Sequence, residues 1–160
     1  MTWTVVPGSG TVVGRVPSPA RDTKRDVPRN GAIRVLIVDD EPSICKALGM
    51  ALGLAGYDVI TARSGEAAFA VIDTERIDVL LTDFRIPDMR GDVIFEYAAG
   101  VQPNLRHQTL FMTGDISDQA IELISACRCN YVRKPFDLRV MLDSVAAVSP
   151  LVEQAQKSSA

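Results

Sequence analysis

The sequence predicts an α/β protein built on an open, doubly wound parallel sheet. Five short apolar segments typical of buried strands alternate with five longer segments whose apolar residues recur at helical spacing. Parallel neighbours in a sheet need crossover connections, and right-handed crossovers place helices on both faces of the sheet. The alternation by itself leaves the order of the five strands open.

The first strand and helix show how each element is assigned. Residues 33–38, IRVLIV, form an apolar run broken only by Arg34, which is typical of a strand buried on both faces. In 41–56 apolar residues recur at helical spacing, with Pro42 near the first turn and Gly56 placed to end the helix. The same patterns predict strands at 57–62, 77–83, 108–114 and 130–134, and helices at 64–75, 91–100, 117–127 and 136–148.

Residues 1–31 differ from the rest of the chain. Pro, Gly and Ser interrupt each short apolar run, and basic residues outnumber acidic ones. This composition indicates a flexible, mildly basic extension. The segments TWTVV and TVVGRV have strand-like composition, but we expect no hairpin between them. We therefore divide the chain into an extension at 1–31, a domain at 32–149 and a short tail at 150–160.

Composition narrows the function classes. A chain of 160 residues suits one domain with a proper core, and 47% apolar with 23% charged residues is typical of a soluble globular protein. The net charge of −3 does not favour nucleic-acid binding, because nucleic-acid-binding domains usually carry a clearly basic face. We therefore expect no direct DNA binding. No run reaches the ~18 apolar residues of a spanning helix, and the amino terminus lacks a signal-peptide block. We expect a cytoplasmic protein with no membrane contact.

Cysteine and histidine content gives no metal motif. Cys45, Cys127 and Cys129 are odd in number and lack the C-x-x-C spacing of metal sites, which predicts reduced, inert thiols. A single histidine, His107, excludes a multi-histidine metal site.

Polar residues follow four of the five predicted strands. In doubly wound sheets, ligands bind beyond the carboxyl ends of the strands. The second strand brings nothing of obvious chemical use to this edge. The others bring Asp39 and Asp40 after the first strand, Asp83 after the third, Thr113 after the fourth, and Lys134 with Pro135 after the fifth.

These side chains describe a place where a phosphoryl group can be stabilised. Three carboxylates at one edge repel one another unless a hard divalent cation lies between them, and Mg²⁺ suits carboxylate oxygens and phosphate oxygens together. Lys134 offers a compact positive charge and Thr113 a hydroxyl donor. A carboxylate can attack phosphorus to form an acyl phosphate, so Asp83 is the candidate nucleophile. Asp39 and Asp40 are then the candidate metal ligands.

Four segments, in order, resemble the receiver domains of two-component response regulators, the CheY-like family. VLIVDDEPSI resembles the opening strand with its acidic pair, and LLTDFRIPDMRG resembles the phosphoacceptor strand with its loop. LFMTGD resembles the strand that bears the hydroxyl, and YVRKPF the lysine-proline signature. The resemblance covers residues 33–148. Each segment alone is a weak signal, but four at the ends of the expected strands make a strong one.

The resemblance implies a flavodoxin-like fold with strand order 2-1-3-4-5. It also implies a role for each candidate residue: phosphoacceptor Asp83; counter-charge Lys134; Mg²⁺ ligands Asp39, Asp40, Asp83 and the backbone carbonyl of Arg85; switch residues Thr113 and Tyr131; and a cis peptide bond before Pro135.

The function that the resemblance implies is that of a stand-alone receiver. It would accept a phosphoryl group from a histidine kinase or a histidine phosphotransfer protein and change its binding to an unidentified downstream protein. It would not be an enzyme beyond its own phosphorylation and dephosphorylation. One alternative is a phosphate-independent interaction module. A second is a Mg²⁺-dependent aspartyl-phosphate phosphohydrolase, although such enzymes carry an aspartate two residues after the nucleophile, where this chain has Arg85. A third is a fragment of a larger regulator.

The sequence departs from the family pattern at a few positions. Arg90 stands where the loop after the phosphoacceptor often has aspartate, and Cys127 and Arg128 stand where a Gly-Ala pair commonly precedes the last strand. The second departure leaves the end of the fourth helix open. Arg85 and Asp115 occupy positions that, in the family, flank the path of the attacking water.

Removing the charge at one of these two positions is expected to change how long the phosphorylated state lasts. We expect Arg85→Ala to alter the lifetime of the acyl phosphate, followed as the decay of the phosphorylated mass after the phosphodonor is removed. A hydrolysis rate equal to that of the unmodified chain would contradict this expectation.

Overall fold

The computed structural model describes residues 2–5, 12–16, 31–114 and 117–150. Seven strands form one sheet in the order β1-β2-β4-β3-β5-β8-β9, and β6 and β7 pair only with each other. In chain order the strands are β1 (Thr2–Val5), β2 (Val12–Val16), β3 (Arg34–Val38), β4 (Asp58–Ala62), β5 (Val79–Asp83), β6 (Arg85–Ile86), β7 (Met89–Arg90), β8 (Thr109–Thr113) and β9 (Asn130–Arg133).

The predicted doubly wound sheet is confirmed. The five parallel strands lie in the order β4-β3-β5-β8-β9, which is 2-1-3-4-5 when these five are numbered along the chain. A short 3₁₀ helix at Pro103–Arg106 leads into β8. The α-helices are α1 (Pro42–Leu54), α2 (Gly65–Thr74), α3 (Gly91–Val101), α4 (Asp118–Ala126) and α5 (Leu138–Val148).

The core lies on both faces of the sheet because side chains alternate along each strand. All five residues of β3 are buried. Val35 and Ile37 pack with α1 and α5 on one face. Leu36 and Val38 pack with α2 and α3 on the other. This burial on both faces explains why the sequence of β3 is nearly continuously apolar and does not alternate between apolar and polar residues.

The structure differs from the sequence-based expectation in the amino-terminal extension. β1 and β2 form an antiparallel hairpin, and β2 pairs with β4 through Val13–Ala62 and Val16–Val59. An isolated two-stranded hairpin is marginal in water, but an edge strand offers a row of unpaired N–H and C=O groups. β4 provides that template, which sequence reasoning on the extension alone did not consider. The other residues of the predicted extension at 1–31, apart from Gly31, lie outside the described residues, and so does the predicted tail at 150–160 apart from Pro150.

The open question about the end of α4 is answered by one backbone conformation. The helix ends at Ala126, and Arg128 follows with a φ of 57°. A left-handed residue commonly ends a helix, and glycine adopts that conformation more easily than arginine. The chain therefore makes the turn into β9 with a left-handed arginine instead of a glycine.

Arg34 is the exception to the apolar run of β3 because it belongs to a buried charge cluster. Its side chain is fully buried, and its guanidinium donates to Asp58 at 2.7 Å and to Glu75 at 2.6 Å. Asp58 begins β4 and is 1% exposed, while Glu75 follows α2. The cluster joins two strands and a helix at the amino ends of the strands, opposite the predicted functional edge.

Replacing this arginine is expected to destabilise the fold strongly. Arg34→Met leaves the buried Asp58 carboxylate without its guanidinium partner, and breaking a buried pair in this way typically costs about 3 to 5 kcal/mol. Urea unfolding measures the loss. The double variant Arg34→Met/Asp58→Asn removes the stranded charge and is expected to recover part of it. A loss below about 1 kcal/mol in the single variant would show that the pair contributes little.

Candidate functional site

Backbone hydrogen bonds place the predicted site residues at one edge of the sheet. Asp39 follows β3, and its N–H donates to the Ala62 carbonyl of β4 at 3.1 Å. Asp83 is the last residue of β5. Lys134 follows β9, and its N–H donates to the Thr113 carbonyl of β8 at 2.8 Å. Because the strands are parallel and these bonds continue past their ends, all these side chains emerge at the same carboxyl edge.

Three carboxylates meet at this edge. Asp39, Asp40 and Asp83 each offer an oxygen, and these oxygens all lie within 4.8 Å of one another. Asp39 is fully buried and Asp83 is 7% exposed, whereas Asp40 is partly exposed. Hard oxygen ligands at this spacing, with one member open to solvent, can hold a divalent cation such as Mg²⁺.

Lys134 bridges two of the three carboxylates. Its Nζ donates to Asp39 Oδ2 at 2.6 Å and to Asp83 Oδ2 at 2.9 Å, and it lies 3.7 Å from Glu41 Oε1. Burial opposes the charge on the ammonium, but the hydrogen bonds to the two aspartates outweigh it and raise the pKa of Lys134 above its ordinary value. Lys134 therefore remains protonated and holds the two strand ends together.

One ammonium does not fully compensate the buried acid. Burial raises the pKa of Asp39, and the nearby charge of Asp83 raises it further. Hydrogen bonds from Lys134 and from the Glu41 N–H, which donates to Asp39 Oδ1 at 2.9 Å, lower it only in part. Burial and the neighbouring Asp83 charge thus both oppose the ionised form of Asp39, and a bound divalent cation would favour that form.

Two side chains that sequence reasoning left without a role support the acidic pair. The Cys45 thiol donates to the backbone carbonyl of Asp39 at 3.3 Å, and burial raises the pKa of this thiol to about 12, which keeps it a donor. Arg63, directly after β4, reaches the backbone carbonyl of Asp40 with Nη2 at 3.5 Å. Neither residue has a sequence signal, since a cysteine in a helix and an arginine in a loop are common without function.

The other predicted site residues differ in their positions relative to this edge. Thr113 ends β8 and is 1% exposed. The Arg85 N–H donates to Asp83 Oδ1 at 3.2 Å, while its side chain is exposed. Tyr131 lies on β9 with 41% of its surface exposed. The expected cis peptide bond between Lys134 and Pro135 is confirmed. Asp115 lies outside the described residues.

The three cysteines are free, as expected. Burial raises the pKa of Cys127 to about 11 and that of Cys129 to about 12. A thiol with so high a pKa is a poor nucleophile at neutral pH. The structure thus gives these two residues a packing role beside α4.

The start of α3 lies directly against the backbone of Asp83. A Cβ atom on Gly91 would come within 2.5 Å of the Asp83 carbonyl oxygen and 2.9 Å of the Phe84 Cα. The Gly91 N–H donates to the Phe84 carbonyl at 2.7 Å. Glycine at this position therefore lets the helix approach the strand end that carries Asp83.

The fold and the acidic edge agree with the family comparison. The family model of the response regulator receiver domain matches residues 35–146. This chain therefore belongs to the family of response regulator receiver domains. Members of this family are signalling modules of two-component systems, in which phosphorylation on aspartate and binding of Mg²⁺ through acidic residues are general features.

Similar proteins of known sequence are regulators longer than the matched region. The transcriptional regulatory protein GlrR of Escherichia coli is 32% identical over 111 residues, which cover 69% of this chain and 25% of GlrR. The transcriptional regulatory protein TrcR of Mycobacterium tuberculosis is 36% identical over 112 residues, which cover 69% of this chain and 42% of TrcR. This chain thus spans less than half the length of these relatives.

Solved structures of response regulators resemble this chain. A CheY-like response regulator receiver domain protein from Methanospirillum hungatei has a TM-score of 0.71 at 27% identity, covering 79% of this chain and 99% of its own. The chemotaxis protein CheY4 of Vibrio cholerae has a TM-score of 0.68 at 28% identity, covering 74% of this chain and 99% of its own.

Among the described residues, each helix is too short or too polar to cross a membrane.

Filling the space at Gly91 is expected to disturb the Asp83 backbone. Gly91→Ala drives a methyl group into the Asp83 carbonyl, and overpacking of this kind costs about 1 to 3 kcal/mol. The matched control is Gly100→Ala in the same helix, where a Cβ meets nothing within 4 Å. It is expected to stabilise the protein by about 0.5 to 1 kcal/mol. Thermal or urea unfolding compares the two, and equal effects of the two substitutions would contradict the close approach.

Proposed function

We propose that this chain accepts a phosphoryl group on Asp83 from a phosphohistidine of a histidine kinase or histidine phosphotransfer protein, in a reaction that depends on Mg²⁺. The observation that carries the proposal is the bridge from Lys134 to Asp39 and Asp83, with Asp40 beside them. The bridge supports the proposal because phosphoryl transfer to a carboxylate needs a nucleophile, a cation for the phosphoryl oxygens and metal ligands close together. The proposal includes a cytoplasmic location, which rests on the family alone.

The chemistry follows from the charges at the site. A carboxylate oxygen of Asp83 attacks the phosphorus, the P–O bond forms as the P–N bond breaks, and the electron pair of the broken bond remains with the imidazole. Asp39, Asp40, Asp83 and the Arg85 carbonyl would hold Mg²⁺, which would supply positive charge for the phosphoryl oxygens. Lys134 gives up its hydrogen bond to Asp83 and donates to the phosphoryl group instead.

Signalling follows from the charge that phosphorylation adds at a packed strand end. The Thr113 hydroxyl, buried at the end of β8, is the donor proposed to turn towards the phosphoryl group. Tyr131 on the neighbouring strand is the proposed second switch residue. A change in their preferred positions alters the population of binding-competent surfaces rather than creating a new fold.

The downstream partner is proposed to be a protein that contacts β9 and α5. Tyr131, Leu138 and Val140 are 41%, 43% and 52% exposed there. Large apolar side chains open to solvent on these two consecutive elements favour a protein partner. The names of the relatives describe transcriptional regulators, but the matched region is a part of each of those proteins, so we propose no DNA contact for this chain.

Phosphorylation of this chain is tested by intact mass after incubation with acetyl phosphate and Mg²⁺. We expect the mass to increase by one phosphoryl group. No increase is expected when a chelator replaces Mg²⁺ during the incubation, or in Asp83→Asn. Lys134→Ala is expected to slow labelling about 100-fold, since removal of one donor that stabilises developing charge has effects of that order. A histidine phosphotransfer protein charged with phosphate serves as a second donor.

Two results of the labelling experiment would contradict the proposal. Labelling of Asp83→Asn to the same extent as the unmodified chain would contradict Asp83 as the acceptor. Failure of the folded, unmodified chain to accept phosphate from either donor, while a competent receiver is labelled in parallel, would favour a phosphate-independent interaction module.

A further inference from the structure

The loop after Asp83 is a small hairpin with Asp88 at its tip. β6 and β7 pair in antiparallel fashion through Arg85–Arg90 and Ile86–Met89. Two residues, Pro87 and Asp88, connect these strands, and both are exposed. The loop is thus a short paired hairpin with Arg85 at its base and Asp88 at its tip.

The Asp88 carboxylate binds the amino end of α2 with both oxygens. Oδ1 accepts from the Gly65 N–H at 3.0 Å, and Oδ2 accepts from the Glu66 N–H at 3.2 Å. The first N–H groups of a helix have no partner within the helix, and a negative charge is favourable at that end. Ser64 serves the same helix separately, since its Oγ accepts from the Ala67 N–H at 3.0 Å.

Packing reinforces the contact between the loop and α2. A Cβ atom on Gly65 would come within 2.7 Å of both Cβ and Sδ of Met89. Ile86, on the other strand of the hairpin, is 7% exposed and belongs to the core between α2, α3 and the sheet. The tip is therefore held against one helix by two hydrogen bonds and two apolar side chains.

The base of the same hairpin carries the peptide that lies beside the metal site. The Arg85 N–H donates to Asp83 Oδ1, and Arg85 pairs with Arg90 in the hairpin ladder. The carbonyl of Arg85 is the ligand proposed above to complete the Mg²⁺ site. Because the loop is short and paired, the anchor at its tip restricts the orientation of the peptide at its base.

We propose that Asp88 is a positioning residue for the metal site. By anchoring the loop to the amino end of α2, it holds the Arg85 carbonyl where Mg²⁺ needs it and raises the affinity of the site for the ion. Asp88 does not itself contact the ion. The inference rests on the proposed function in one respect, namely that the acidic edge binds Mg²⁺.

Direct Mg²⁺ binding to the full chain, measured by isothermal titration calorimetry without any phosphodonor, tests the inference. Asp88→Ala is expected to raise the Kd for Mg²⁺ about 3- to 10-fold, at or below the range seen when groups that orient metal ligands are removed. Asp88→Asn retains one acceptor oxygen for the helix and is expected to lie between Asp88→Ala and the unmodified chain.

Two matched variants separate positioning from stability and from charge. Ser64→Ala removes the other cap of α2 and keeps both acceptor oxygens of Asp88, so it is expected to lower stability while leaving the Kd for Mg²⁺ unchanged. Glu66→Gln removes an exposed carboxylate next to the same contact, so it reports the effect of charge alone.

Each outcome decides the inference. A Kd for Asp88→Ala that equals that of Ser64→Ala overturns it, and so does an equal rise in Asp88→Asn and Glu66→Gln, which would indicate long-range charge. Mg²⁺ binding that weakens as expected in a chain that takes no phosphate supports the positioning role and counts against the proposed function. A chain that binds no Mg²⁺ overturns both.

Discussion

The ammonium of Lys134, shared between Asp39 and Asp83, is the interaction on which the functional edge depends. Lys134 is 95 residues from Asp39 and 51 residues from Asp83 along the chain, so the contact exists only when three strands of the sheet are correctly placed. Without a cation between them, two buried carboxylates at this distance oppose folding. Lys134 therefore reduces the electrostatic repulsion between these carboxylates, and Mg²⁺ is proposed to reduce it further.

The rest of the structure serves to hold that edge in place. Backbone hydrogen bonds from Asp39 and Lys134 extend the hydrogen-bonded ladder one residue beyond the ends of β3 and β9. Gly91 lets α3 lie against the backbone of Asp83. At the opposite end of the sheet, the buried Arg34 pairs with Asp58 and Glu75. Charged groups are thus buried at both ends of the sheet. The Arg34 guanidinium donates to two carboxylates at the amino ends, and the Lys134 ammonium donates to two of the three clustered aspartates at the carboxyl ends, where chemistry is proposed.

Sequence patterns predict the parallel sheet and the assembly of its polar edge because both follow from local rules. Strand and helix periodicity places Asp39, Asp83 and Lys134 at strand ends, and parallel strands bring such ends together. The hairpin of β1 and β2 was missed because its stability comes from pairing with β4, a contact distant in sequence. The contact of Asp88 with α2 was missed for the same reason, since an aspartate after a proline has the pattern of an ordinary turn. The roles assigned to Thr113 and Tyr131 remain predictions.

The most direct test of the central charge balance compares Mg²⁺-dependent stability with and without Lys134. Urea unfolding of the unmodified chain and of Lys134→Met is measured in chelator and in Mg²⁺. In chelator the variant is expected to lose up to about 3 kcal/mol, because the buried Asp39 loses its partner. Mg²⁺ should then stabilise the variant more than the unmodified chain, since it no longer competes with the ammonium. An equal or smaller gain from Mg²⁺ in Lys134→Met would contradict the account.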